Sequence, residues 1–187
     1  MSLTTLDDIN WDLEVSDGDL KKAVVQKIRL CALRNDENEG EDDQPPTNHW
    51  VVCLETSPDS CIMLDMAPGY GEDGLRGKGR ATAIKGRSYT KETLRNFAYD
   101  LLPRDHLKTI TAAEIMNIIQ AKGRHKYTFS PEGEGCRYWI SVVVGDLESE
   151  GVLGAGVSKD ALAKLSLYWR NPDGNEPREM RKGAFAS

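Results

Sequence analysis

The chain has 187 residues, 39% of them hydrophobic and 29% charged, with 30 acidic against 24 basic side chains and a net charge of −6. That length suits one domain able to bury a substantial core, in the composition of a soluble globular protein. The negative charge repels phosphate backbones and anionic membranes, and no apolar run approaches the ~20 residues that cross a bilayer, so neither nucleic acid nor membrane is expected as a partner.

Residues 1–21 are acidic and weakly patterned, which predicts a loosely ordered arm with Trp11 and Leu13 as docking anchors. Its first eight residues lack the basic-then-apolar layout of a secretory signal, so a cytoplasmic location is expected. The β-branched run Ala23–Leu33 reads as the first strand. Residues 35–47 form an acidic loop ending in Pro45-Pro46, and the runs 50–55 and 61–66 flank Thr56-Ser-Pro-Asp-Ser60, whose Pro-Asp centre predicts a hairpin. The glycine-rich stretch 69–86, with Arg76, Lys78, Arg80, Lys85 and Arg87 in or near it, reads as a flap or a plain loop. It leads into a strand-like segment, whereas a phosphate cradle leads into a helix. Residues 89–102 suit either a helix capped near Thr90 or a strand.

Three helices follow. Thr111-Ala-Ala-Glu114 is a capping box, opening a helix with Ile115, Met116, Ile118 and Ile119 on its apolar face and Gly123 as its stop. Cys136–Leu147 should be a second, largely buried helix. Ser158–Trp169 should be a third, with Ser158 as N-cap and Leu162, Leu165, Tyr168 and Trp169 facing inward. The polar residues 171–187 predict a disordered tail. Strands first and helices after indicate an α+β fold over residues 22–170, an antiparallel sheet packed against helices.

The four cysteines include no C-x-x-C pair and no histidine at zinc spacing, so reduced thiols, no metal and no cofactor are expected. Cys31, Cys53 and Cys61 sit in apolar runs as small hydrophobes. Cys136 differs, because it follows a glycine turn at a helix start, where free N–H groups and partial positive charge favour the thiolate. A base and an orienting group are also needed. His49 opens the strand Asn48–Leu54, and Asp65 ends the strand paired with it, an acid among apolar neighbours that calls for a partner. His106 and His125, in charged loops, are expected at the surface. Candidate substrate contacts are Trp50, Arg137, Tyr127 and Trp139, with core packing the plainer role for the aromatic residues.

Asn48-His49-Trp50, then Leu64-Asp65-Met-Ala-Pro68, then Tyr127 through Gly135-Cys136-Arg-Tyr-Trp139 together resemble the circularly permuted papain-like superfamily, which includes NlpC-type and lecithin retinol acyltransferase enzymes. The same segments also resemble a family of small filamentous-fungal proteins, a likeness that brings no activity with it. The superfamily resemblance implies the permuted papain-like (NlpC-type) topology and cysteine-dependent acyl transfer on an amide, ester or thioester. Cys136 would be the nucleophile, His49 the base and Asp65 the residue orienting it, with a small-molecule or peptide-like substrate. Gly135 stands where that pattern has asparagine, and Asp65 where a histidine or other polar residue is commoner. The alternative is a non-hydrolytic binding protein, or a cyclase or isomerase of fungal secondary metabolism, using His49 and Asp65 as general acid and base.

Overall fold

The computed structural model describes residues 11–33, 46–85, 95–101, 110–170 and 174–186. In chain order these form β1 (Trp11–Leu13), α1 (Asp17–Lys22), β2 (Lys27–Leu33), β3 (His49–Ser57), β4 (Ser60–Tyr70), β5 (Arg76–Lys85) and β6 (Arg95–Leu101). Then come α2 (Ala112–Ala121), β7 (Tyr127–Thr128), α3 (Cys136–Ser149), α4 (Val157–Leu165), β8 (Leu167–Trp169), β9 (Asn175–Pro177) and β10 (Ala184–Phe185). The main sheet runs β10-β7-β5-β4-β3-β2-β6 with antiparallel neighbours, and β1 joins β5 in parallel. Together they make the α+β, antiparallel-sheet architecture expected from the order of elements.

Alternation along β3 and β4 decides which side chains meet the helices, because successive residues of a strand point to opposite faces. Trp50, Val52, Leu54, Ile62, Leu64 and Met66 enter the main core together with Ile115, Met116 and Ile119 of α2 and Trp139, Ile140, Val143 and Leu147 of α3. Val51, Cys53 and Cys61 point the other way, into a smaller cluster with Cys31. All three of these cysteines are buried, as expected of small hydrophobes. The β3–β4 turn falls at Pro58-Asp59, and the α2 capping box forms in full: Glu114 N–H donates to Thr111 Oγ1 at 3.3 Å and Thr111 N–H to Glu114 Oε2 at 2.8 Å.

The ends of the chain depart from expectation. Trp11 is only 2% exposed and packs across Gly79, where a Cβ would sit 2.6 Å from the indole ring, so residues 11–22 form a strand and a helix in place of a loose arm. Met1–Asn10 lie outside the described residues, as do the acidic loop over 35–43, the possible cap at Thr90 and His106. The stretch after Gly69 turns at Gly71–Gly74 and then runs as β5, so it is neither flap nor loop over most of its length. Residues 95–101 are strand, because their backbone completes the edge beside β2.

The third helix is shorter than expected. Glu148 of α3 accepts the N–H groups of Gly156 and Ser158 at 2.9 and 2.7 Å, so the helix starts one residue early under a cap supplied by another helix. It stops at Leu165 because Asn48 captures the backbone of Trp169, and Leu162 is left 46% exposed. Beyond it, β9 pairs with β8 and β10 with β7, so the described part of the tail is ordered. Its strands are only two or three residues long, β9 polar and β10 the pair Ala184-Phe185, and long-range contacts hold them. His125 is buried as well, because Arg124 beside it pairs with Asp146 and gives its carbonyl to Trp139 Nε1 at 2.7 Å.

Candidate active site

Cys136 is the first residue of α3, the helix whose apolar face packs on β3 and β4. Its N-cap is Gly135, which offers no side chain to the first-turn N–H groups. Only glycine fits there, because a Cβ would approach Tyr127 Oη to 2.7 Å and Phe129 Cδ1 to 3.2 Å. Tyr127 Oη donates to the Gly135 carbonyl at 3.0 Å, fixing the turn that delivers the thiol. Tyr127 and Phe129 meet edge-on with ring centroids 5.2 Å apart, forming an aromatic floor under that turn.

His49 begins β3 and is half-buried, and its Nε2 lies 2.7 Å from Asp65 Oδ1 on β4. Asp65 is 9% exposed, so its carboxylate has exchanged water for the imidazole, the partner that a buried acid requires. His49 and Cys136 line the same cleft, and each shifts the titration of the other. The backbone N–H of Trp50 serves the sulfur too. Cys136, His49 and Asp65 thus form one connected series, brought together from α3, β3 and β4.

The electrostatics follow from that contact. Burial raises the Cys136 thiol, but the hydrogen bond and charge of His49, the Trp50 N–H and the charge of Arg137 outweigh it and bring the thiol below its ordinary value. For His49, burial disfavours the charged ring, yet the bonds to Asp65 and Cys136 prevail and raise its pKa to about 10. Each shift favours a thiolate–imidazolium pair, the state in which cysteine is a nucleophile near neutral pH.

A cleft of about 250 Å³ opens over the pair, lined by Asn48, His49, Pro68, Phe129, Glu132 and Cys136 among others. The expected substrate contacts fare differently. Trp50 and Trp139, each 1% exposed, are core residues, and Tyr127 is spent on Gly135 and on the N–H of Gly183. Arg137 borders the cleft, but its guanidinium is buried, bonded to the carbonyls of Leu165, Arg178 and Glu179 and to Glu134. Among the described residues no group of His, Cys, Asp and Glu is arranged to hold a metal ion.

Two residues that sequence reasoning did not single out also shape the site. Asn48 grips Trp169 at both ends of its backbone, accepting its N–H at 2.7 Å and donating to its carbonyl at 2.9 Å. Glu134 joins Arg137 and Arg178 beside the cysteine turn. In the sequence Asn48 carried only the weak signal of its place beside His49, and nothing local marks Glu134.

Residues 28–186 match a family model, DUF7770, a domain of unknown function. No curated protein and no solved structure matches the chain.

Proposed function

This chain belongs to the DUF7770 family, and we propose that it is a cysteine-dependent acyl-transfer enzyme, a hydrolase or transferase acting on a small amide, ester or thioester. The observation that carries the reading is the connected series of Cys136, His49 and Asp65, with the cysteine at an uncapped helix start. The order of histidine strand, acidic strand and cysteine helix supports a permuted papain-like relationship.

In this mechanism the Cys136 thiolate attacks the substrate carbonyl while its former proton rests on His49. The N–H of Cys136, aided by the α3 dipole, receives the oxyanion. Collapse breaks the bond to the amine, alcohol or thiol, which leaves with the proton from His49, and a thioester remains on sulfur. Water or a second acceptor then gives up a proton to His49 and attacks the thioester, the C–S bond breaks, the acyl group leaves as the acid or on the new acceptor, and the thiolate–imidazolium pair is restored. Asp65 holds the ring in place and stabilises its charge throughout. A cleft of about 250 Å³ suits a short acyl group or a peptide-like fragment. Among the described residues no helix is long and apolar enough to cross a membrane.

Two measurements test this. Iodoacetamide at pH 6.5 should label Cys136 at least tenfold faster than the three buried thiols, and His49→Gln should remove that advantage. Incubation with short-chain p-nitrophenyl esters should leave an acyl adduct on Cys136, seen by mass spectrometry and absent in Cys136→Ser. Similar labelling of all four thiols, or an adduct that survives Cys136→Ser, would sink the proposal.

A further inference from the structure

His49 and Cys136 reach the site on separate stretches of chain, each led in by a loop. Residues 46–48 precede the histidine and 130–135 precede the cysteine. Their charged pair persists only while these two lead-in segments stay side by side, because ion-pair and hydrogen-bond energies fall steeply with separation. Within the C-terminal segment, Arg178 spans them. Its Nε donates to the Pro46 carbonyl at 3.2 Å, on the histidine side, and its Nη2 donates to Glu134 Oε1 at 2.6 Å, on the cysteine side. The side chain is only 8% exposed. Its backbone is fixed at both ends: its N–H donates to the Ser166 carbonyl at 2.9 Å, and its carbonyl accepts from Arg137 Nη1 at 3.1 Å. Arg137, the neighbour of the cysteine, also bonds the next carbonyl, that of Glu179, at 2.6 Å.

Resting on the acyl-transfer reading, we propose that Arg178 is a positioning residue, holding the segment before His49 against the segment before Cys136 so that imidazole and thiol stay in register. An arginine suits this role because its planar fork carries N–H groups that point in different directions, so one side chain serves a carbonyl and a carboxylate at once. A lysine ammonium has the charge but sits at a single point and cannot reach both. The C-terminal segment thereby becomes part of the machinery.

The charged groups that reach Cys136 are His49 from β3 and Arg137 beside it, with Asp65 behind the histidine and Glu134 behind the arginine, and the neutral Tyr127 hydroxyl faces it from β7. All of them stay intact in the test. The pH profile of Cys136 alkylation by iodoacetamide is measured in wild type, Arg178→Ala and Arg178→Lys, with circular dichroism melts alongside. Both variants should move the inflection upward by about one unit or more, which lowers the rate about tenfold at pH values below the inflection. If Arg178→Ala does not fold, Arg178→Lys decides. A lysine variant with the wild-type profile would mean that charge alone matters, and a melt lowered with no change of profile would mean simple anchoring; either result overturns the positioning role and leaves the catalytic reading standing. A wild-type thiol that titrates at its ordinary value overturns both.

Discussion

Histidine ordinarily gives up its proton near neutrality, and burial makes it do so sooner. At His49 the bonds to Asp65 and Cys136 outweigh burial, raising the pKa from 6.5 to about 10, while the Cys136 thiol is brought below its ordinary 9.0. These shifts carry opposite consequences for stability. A raised histidine contributes stability that is whole below pH 6.5 and is lost as pH climbs through about 10. A lowered thiol contributes stability that is whole above pH 9.0 and is lost as pH falls through its folded value. Between the thiol's folded value and pH 9.0 the two slopes oppose each other, because the proton has only moved from sulfur to nitrogen. Between pH 9.0 and about 10 only the histidine slope remains. Urea unfolding should therefore show wild type losing stability over that interval relative to the double variant His49→Gln/Cys136→Ala, which titrates at neither position. Curves that stay parallel to pH 10.5 would show that no such ion pair forms.

At the scale of the element, what matters is how α3 begins. Two glycines touch this helix and make opposite demands. At Gly135 a new Cβ would press on Tyr127 and Phe129, whereas at Gly145, in the helix interior, a Cβ meets nothing within 4 Å. Gly135→Ala should cost about 1–3 kcal/mol through overpacking and slow Cys136 alkylation, because the turn must shift. Gly145→Ala should add roughly 0.5–1 kcal/mol through helix propensity and leave alkylation unchanged. Thermal melts and labelling rates on the two variants check both statements, and equal effects on labelling would mean that the Gly135 turn does not aim the thiol. Elements with their own local code were legible in the sequence: the Thr111 capping box, the Pro58-Asp59 hairpin, and the glycine turn into Cys136. His49 beside Asp65 was legible too, because a carboxylate among apolar residues demands a partner and the hairpin limits which strand can supply it. The short strands β1, β9 and β10 were not, since two or three residues show no periodicity. The aromatic and arginine residues near Cys136 were misleading as substrate contacts, because the ring or cation that suits a ligand equally suits a core or a buried carbonyl.

For the whole molecule, the open question is what makes a polar C-terminal segment part of a folded domain. Tyr127 is one answer that can be tested. Its hydroxyl donates to the Gly135 carbonyl and accepts the Gly183 N–H, each at 3.0 Å, so a single buried oxygen joins the turn before the cysteine to the segment that leads into β10. Burial raises the Tyr127 pKa, against the Gly183 bond that opposes it, so the hydroxyl keeps its proton and remains a donor at any physiological pH. The ring also packs against Phe185 of β10 with centroids 4.9 Å apart, and Gly183 passes so close that a Cβ there would lie 2.5 Å from Tyr127 Oη. Tyr127→Phe keeps the ring and its packing but leaves the half-buried Gly183 N–H without this partner and the Gly135 carbonyl with the Trp139 N–H alone, at a cost of about 1 kcal/mol or more. If the hydroxyl couples the tail to the site, hydrogen exchange at Gly183 and Ala186 should speed up more than exchange in the α2 and α3 cores. Cys136 alkylation should slow in the same variant, because the Gly135 carbonyl has lost one of its two donors and is held by the Trp139 N–H alone. Exchange that rises evenly across the molecule would instead mean that the tail opens only with global unfolding, and that the bond contributes to stability without linking the tail to the cysteine.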